Sequence, residues 1–190
     1  MRFAVVDIET TLGNSHEGFI QLARVKPLGS KSAKLISLKT EGCGARKQID
    51  LKVVGALREE MNKYDGWITW NGLGFDLPFI DDRLLIHGLP RLERRFARGL
   101  DAMWHAKMFK SMFQGASLEN VSIGLGYAGD VRVPMNQSTF TRAKDEALEG
   151  FAKGSVHFDR LERHNAGCIR LTEFCYEKLK PRIQNISRWG

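Results

Sequence analysis

A chain of 190 residues, 43% hydrophobic and 27% charged, has the make-up of an ordinary globular protein and is sized for a single domain over residues 1–190 with a sizeable core. No apolar stretch approaches the ~20 residues that cross a bilayer, which excludes a helical membrane protein. The formal net charge of +7 favours a polyanionic partner, because Lys and Arg gain by displacing counterions from phosphates.

The first predicted element is a strand at Arg2–Asp7, and Met1-Arg2 leads into it with no secretory leader in between. Phe19–Lys26 and Ala33–Leu38 read as two more strands around the turn Pro27-Leu28-Gly29-Ser30, giving an antiparallel meander. A polar loop from Thr40 to Lys47 follows. Asp50 is then a candidate N-cap for a helix with Val53, Val54, Leu57 and Met61 at helical spacing. Gly66–Trp70 is a short apolar strand, and Leu77–His87 is a helix stopped by Gly88-Leu89-Pro90. Beyond the basic run Arg91–Arg98, helices are expected at Ala102–Phe113 and from Ser117-Leu118-Glu119-Asn120 to about Gly124 or Gly126. Gly129–Thr141 reads as a loop, and Ser155 can cap a last long helix, Val156–Leu179, ended by Pro181. Strands first, then alternating helix and strand, give an α/β sandwich with a mixed sheet. Cys43, Cys168 and Cys175 are an odd, unevenly spaced set, which points to a reducing, cytoplasmic setting.

The chemistry begins where the first strand ends, at Val5-Val6-Asp7-Ile8-Glu9-Thr10. A strand projects alternate side chains to one face, so Asp7 and Glu9 emerge together. Two carboxylates that close repel unless a cation lies between them, and a hard divalent ion suits them. The second signal is Trp70-Asn71-Gly72-Leu73-Gly74-Phe75-Asp76-Leu77-Pro78. Here a buried strand turns through two glycines and Asp76 enters a helix. Asp76 serves equally as a carboxylate favoured by the helix dipole and as a metal ligand.

Together these motifs resemble the first two of the DEDD superfamily of 3′→5′ exonucleases, which have the ribonuclease H-like fold and include the proofreading domains of DNA polymerases. The resemblance runs from Val5 to about Ile183, with Asp101 and Ser117–Asn120 in the family's usual continuation. It implies a mixed five-stranded sheet, three antiparallel strands and then parallel ones, flanked by helices. It also implies Mg²⁺ or Mn²⁺ in a two-metal site on Asp7, Glu9 and Asp76, with Thr10, Asn71 and Phe75 beside the substrate strand. The implied partner is single-stranded or frayed-end DNA or RNA, with no membrane involved. The stand-alone size is similar to that of small bacterial or phage nucleases, and a replication or repair partner is left open.

The third motif departs from the family. Its usual Tyr-x-x-x-Asp falls here on His164-Asn165-Ala166-Gly167-Cys168, with His164 for the tyrosine and Cys168 for the fourth carboxylate. Cys168 shares a helix face with Leu171, Cys175 and Leu179, so it points inward as a small apolar residue; as a ligand it would be soft and prefer Zn²⁺. His164 is either the base that deprotonates or orients water or a helix histidine satisfied by a nearby carbonyl. Asp159 is out of phase and cannot replace the missing aspartate. Asp101 lies in the neighbourhood of the site. Arg91, Arg94, Arg95, Arg98, Lys107 and Lys110 are either a phosphate track or a solvated face. Trp67, Trp70 and Trp104 are expected in the core, and His16, His87, His105 and His157 on surface or loops. Two functions follow: a 3′→5′ exonuclease releasing nucleoside monophosphates, with Cys168 lowering its activity, or a weakened member that binds nucleic acid without cutting it.

Overall fold

Alternation along the first strand sorts the two faces of the sheet. In the computed structural model, which describes residues 1–45, 48–93, 101–107 and 117–186 (without the side chains of 105, 107 and 182–186), β1 spans Phe3–Thr10. Its Ala4, Val6 and Ile8 enter the main core with Val53, Val54 and Leu57 of α2 (Leu51–Met61) and Leu77, Ile80 and Leu84 of α3 (Asp76–Ile86). Val5 faces the other way, onto Ile169 and Tyr176 of the long helix α7 (Val156–Ile186). Asp7 and Glu9 keep that second phase and so meet α7 as well. Each buried Val, Leu or Ile stabilises this sandwich by about 1.5–3 kcal/mol.

β1 pairs antiparallel with β2 (Ile20–Pro27), which pairs antiparallel with β3 (Lys34–Ser37). On its other side β1 pairs in parallel with β4 (Gly66–Ile68), giving the order β3-β2-β1-β4. The mixed α/β sheet of the ribonuclease H-like fold is therefore present, with four strands among the described residues rather than five. A fifth reduces to one parallel bridge, Thr69 to Asp101. Asp101 Oδ1 accepts the amides of Met103 and Trp104 and opens α4 (Ala102–Lys107) at once, so the chain leaves the sheet there. Between Glu9 and Thr10 the pairing shifts, with Leu22 opposite Glu9 and Ile20 opposite Thr10, so Gln21 is an extra residue on β2.

Several expectations are corrected. Gly129–Thr141 is not all loop: α6 begins at Gln137 and runs to Leu148. Asn136 caps it by accepting from the Thr139 amide, and the small residues Thr139, Ala143 and Ala147 form its buried face. Pro181 does not end α7; being exposed, it costs one main-chain hydrogen bond without breaking the helix. The polar loop after β3 opens with a short helix, α1 (Leu38–Glu41), under a Ser37–Thr40 capping box. Ser155 precedes α7, but the carboxylate of Glu146 on α6 takes the amides of His157 and Phe158. α5 (Leu118–Gly124) is capped by Ser117, as its sequence predicts.

Asp50 makes no side-chain cap bond to α2. It is fully buried, and its carboxylate accepts from Arg83 Nη2 (2.6 Å), Arg83 Nε (3.0 Å) and the Ile20 amide (2.8 Å). His87 is not a surface residue either: its buried ring lies 2.8 Å from Asp50. Trp67 is core, but Trp104 is 58% exposed.

Candidate active site

Three elements converge at the C-terminal end of β1. Its odd-numbered residues bring Asp7 and Glu9 against α7, while α3 delivers Asp76 from its first turn. Asp76 is locked to the strand, since the Ile8 amide donates to its Oδ1 at 3.2 Å. The turn before it is equally constrained. A Cβ on Gly72 would lie 2.2 Å from Thr69 Oγ1, so only glycine fits, and Asn71 takes a left-handed φ of 64°. Asp101 braces this turn through the amides of Asn71 (3.1 Å) and Leu73 (3.0 Å). With Met103 and Trp104 also bonded to it, Asp101 is a structural brace rather than part of the acidic cluster.

A cleft of about 290 Å³ opens over these groups, lined by Asp7, Glu9, Asn71, Phe75, Asp76, Arg132, His164 and Cys168 among others. A neighbouring cleft of about 230 Å³ shares Glu9 and Phe75 and adds Thr10, Leu12, Gln137 and Phe140. The structure thus brings together Asp7, Glu9, Asp76, His164, Cys168, Asn71 and Phe75, and sets Thr10 next door with its hydroxyl donated to the Leu12 carbonyl. Phe75 does face the cleft, tilted against Phe79. Trp70 lines the same cleft and is only partly buried. Arg94, Arg95, Arg98 and Lys110 lie outside the described residues, as do the side chains of His105 and Lys107; Arg91 is exposed and pairs with Asp81 (3.3 Å).

The electrostatics of the cluster are those of carboxylates short of cations. Burial pushes Asp7 up to about 7, although Arg132, Asn165 and Cys168 oppose the shift. Burial, then the charges of Asp7 and Asp76, raise Glu9 well above its ordinary value. Asp76 is raised too, by burial and then by Asp7. Three carboxylates that line one cleft and act on one another's charge suit a hard divalent ion, which would restore all three to their charged forms. The residues fit such an ion.

The face of α7 supplies the rest. The Nδ1–H of His164 donates to the Val133 carbonyl, which leaves Nε2 as the bare nitrogen, 3.7 Å from Glu9 Oε1. Burial lowers the imidazole below its ordinary value, partly opposed by that hydrogen bond, so the ring is neutral at pH 7. Cys168 is 3% exposed and packs with Leu171, Cys175 and Leu179, yet its Sγ also reaches the cleft wall. Glu9, His164 and Cys168 place one donor atom each within 4.8 Å of one another. Burial, then the charges of Asp7 and Glu9, hold the thiol well above its ordinary value, so it stays protonated.

Two residues of the site escape sequence reasoning. Asn165, fully buried, donates from Nδ2 to Asp7 Oδ2 at 2.7 Å, while its Oδ1 accepts from Arg24 Nε at 3.3 Å. Arg132, in the segment read as loop, donates from Nη1 to Cys168 Sγ at 3.4 Å and from Nε to Glu119 Oε1 at 3.1 Å. Asn165 stood beside His164 in the third motif and could have been found there. Arg132 had no such signal.

A family model described as the RNase H superfamily matches residues 4–177. Among solved structures, the family B DNA polymerase of the hyperthermophilic archaeon Pyrobaculum calidifontis superposes with a TM-score of 0.69 at 17% identity, over 95% of this chain. The chain covers 25% of that polymerase's length. Brucella melitensis NrnC matches at 19% identity and a TM-score of 0.45, covering 99% of this chain and 86% of that one. Its Mg²⁺-bound form matches at 20% identity and a TM-score of 0.42, with the same coverage. No curated protein matches. Among the described residues no helix is long and apolar enough to cross a membrane.

Proposed function

The chain belongs to the RNase H superfamily, as a nuclease-type enzyme, and from that premise we propose that it is a metal-dependent 3′→5′ exonuclease working as one domain on DNA or RNA ends. The observation that carries this reading is the convergence of Asp7, Glu9, Asp76 and the bare Nε2 of His164 on a single cleft.

Asp7, Glu9 and Asp76 would hold Mg²⁺ or Mn²⁺, which would supply Lewis acidity to the attacking water and the scissile phosphate. His164 Nε2 takes the water's proton, a task suited to a neutral imidazole with its other nitrogen anchored. The water oxygen bonds to the phosphorus of the terminal nucleotide, and the bond from that phosphorus to the preceding O3′ breaks. That O3′ collects a proton from solvent, and a nucleoside 5′-monophosphate leaves. Phe75, between the two clefts, offers a stacking face to the terminal base, with Thr10 and Asn71 flanking the strand. The net charge of +7 supports a nucleic-acid partner.

A second reading, binding without cleavage, draws on Cys168 standing where the family carries its fourth carboxylate. One assay separates the two. The pure protein and its Asp7→Ala variant are incubated with 5′-labelled single-stranded DNA or RNA and Mg²⁺ or Mn²⁺. A ladder growing from the 3′ end, absent in the variant, is the expected outcome. Equal inertness of both proteins on both substrates overturns the exonuclease in favour of the binding module.

A further inference from the structure

The geometry points to Arg132 as a built-in cation that takes the place of a second divalent ion, making this a one-ion site in which the guanidinium contacts the scissile phosphate. The inference rests on the exonuclease reading above.

Arg132 is held in the cleft from three directions. Its Nη1 donates to Cys168 Sγ at 3.4 Å, its Nε donates to Glu119 Oε1 at 3.1 Å, and its backbone lies against α7 at Gly167. A Cβ at Gly167 would come within 2.6 Å of Arg132 Cα, so the approach of this segment to α7 depends on that glycine. Cys168, one residue further along α7, is the smaller side chain that leaves room for the guanidinium. Among the described residues Nη2 has no hydrogen-bond partner, which leaves part of the donor fork for a phosphate oxygen.

Charge balance gives the same answer. The cleft holds three carboxylates, Asp7, Glu9 and Asp76, and the positive charge of Arg132 already acts on Asp7 and Glu9. One divalent ion offsets two of these charges, and the guanidinium, which also serves Glu119, offsets part of the third. A second divalent ion would have to enter beside the guanidinium, with a cysteine in place of the carboxylate that should bind it. A fixed cation supplies charge stabilisation without an ion to recruit, though not the second activated oxygen of a two-ion site.

The test counts ions. Metal-stripped protein is mixed with a trinucleotide whose last linkage is a non-cleavable methylenephosphonate, titrated with Mn²⁺ and followed by electron paramagnetic resonance. The wild type should bind one Mn²⁺ with an isolated-ion spectrum. Cys168→Asp alone should still bind one, because the new carboxylate pairs with Arg132, and so should Arg132→Lys. Cys168→Asp combined with Arg132→Gln should bind two, with the exchange-coupled spectrum of ions about 3.5–4 Å apart. A coupled pair in the wild type, a measurement independent of how the variants fold, overturns the inference while leaving the exonuclease standing. So does a folded double variant that takes up one ion. A wild type that binds no Mn²⁺ overturns the exonuclease reading and the inference with it.

Discussion

Asn165 on α7 holds Asp7 on β1 by a 2.7 Å hydrogen bond from its Nδ2 to Asp7 Oδ2, while its own Oδ1 is held by Arg24 of β2. The chain Arg24–Asn165–Asp7 therefore ties two strands and the last helix to one carboxylate. Arg24 settles which end of the amide faces Asp7, because a guanidinium can only donate. Residues that orient a metal-binding carboxylate typically contribute 10–100-fold to metal affinity or activity. Asn165→Ala should accordingly raise the Mg²⁺ concentration for half-maximal cleavage by about tenfold or more. An unchanged Mg²⁺ dependence would show that the contact does not orient the site.

Asp76→Asn should abolish cleavage and stabilise the metal-free protein. Its Oδ1 can still accept from the Ile8 amide, while a carboxyl that burial and Asp7 hold out of its ordinary charged form gives way to a neutral group. A gain of about 1 kcal/mol corresponds to a rise in Tm of about 2–4 °C for a chain of this size. Thermal melts in excess chelator check this, and a fall in Tm would contradict it.

Arg83→Met should be severely destabilising. It leaves Asp50 buried with only the Ile20 amide and His87, and frees the Ser15 carbonyl that Arg83 Nη1 now satisfies at 3.0 Å. Removing one partner of a buried pair costs about 3–5 kcal/mol. Urea unfolding of both proteins measures it; a loss under 1 kcal/mol would mean that Asp50 finds other compensation.

Glu146 gives a pH dependence with a definite sign. Burial alone would raise its carboxyl, but hydrogen bonds from the His157 ring and from the Phe158 and His157 amides outweigh that and hold it below 4.5. A folded value lower than the unfolded one contributes stability above pH 4.5 that is lost as pH falls through the lowered folded value. Glu146→Gln should cost about 1 kcal/mol at pH 7, as the loss of a helix cap does, and close to nothing near pH 2. Urea titrations at the two pH values test it, and a pH-independent difference would refute the linkage.

How much of this was legible in the sequence depended on whether the cause was local. Asp7 and Glu9 follow from period-two alternation, and Asp76 from a turn in which Gly72 admits nothing larger. Ser117 announced α5 because a capping hydroxyl acts within three residues. The cap of α7 could not be read that way, since Glu146 reaches it from another helix. Asp50 has the sequence of an N-cap, yet Arg83 and His87, more than thirty residues on, turn it into a buried ion pair. Turn residues ahead of α6 mask it in the sequence, although Asn136 and the small residues of its buried face mark its start and its inner side. Arg132 shows the limit most clearly, because the glycine that admits it lies thirty-five residues away.

The extra residue Gln21, opposite the step from Glu9 to Thr10, separates what lies on either side of it. Upstream, the ladder dictates which way every side chain of β1 faces. Downstream, residues 11–19 return to the sheet through the Thr11 amide on the Phe19 carbonyl, free of that phase. Lengthening or shortening this excursion leaves both acids aimed as before, whereas one residue added between Val5 and Glu9 would invert an acid outright. If the chain is the proposed exonuclease, the excursion is the natural place to graft new preferences for strand ends without retuning the chemistry.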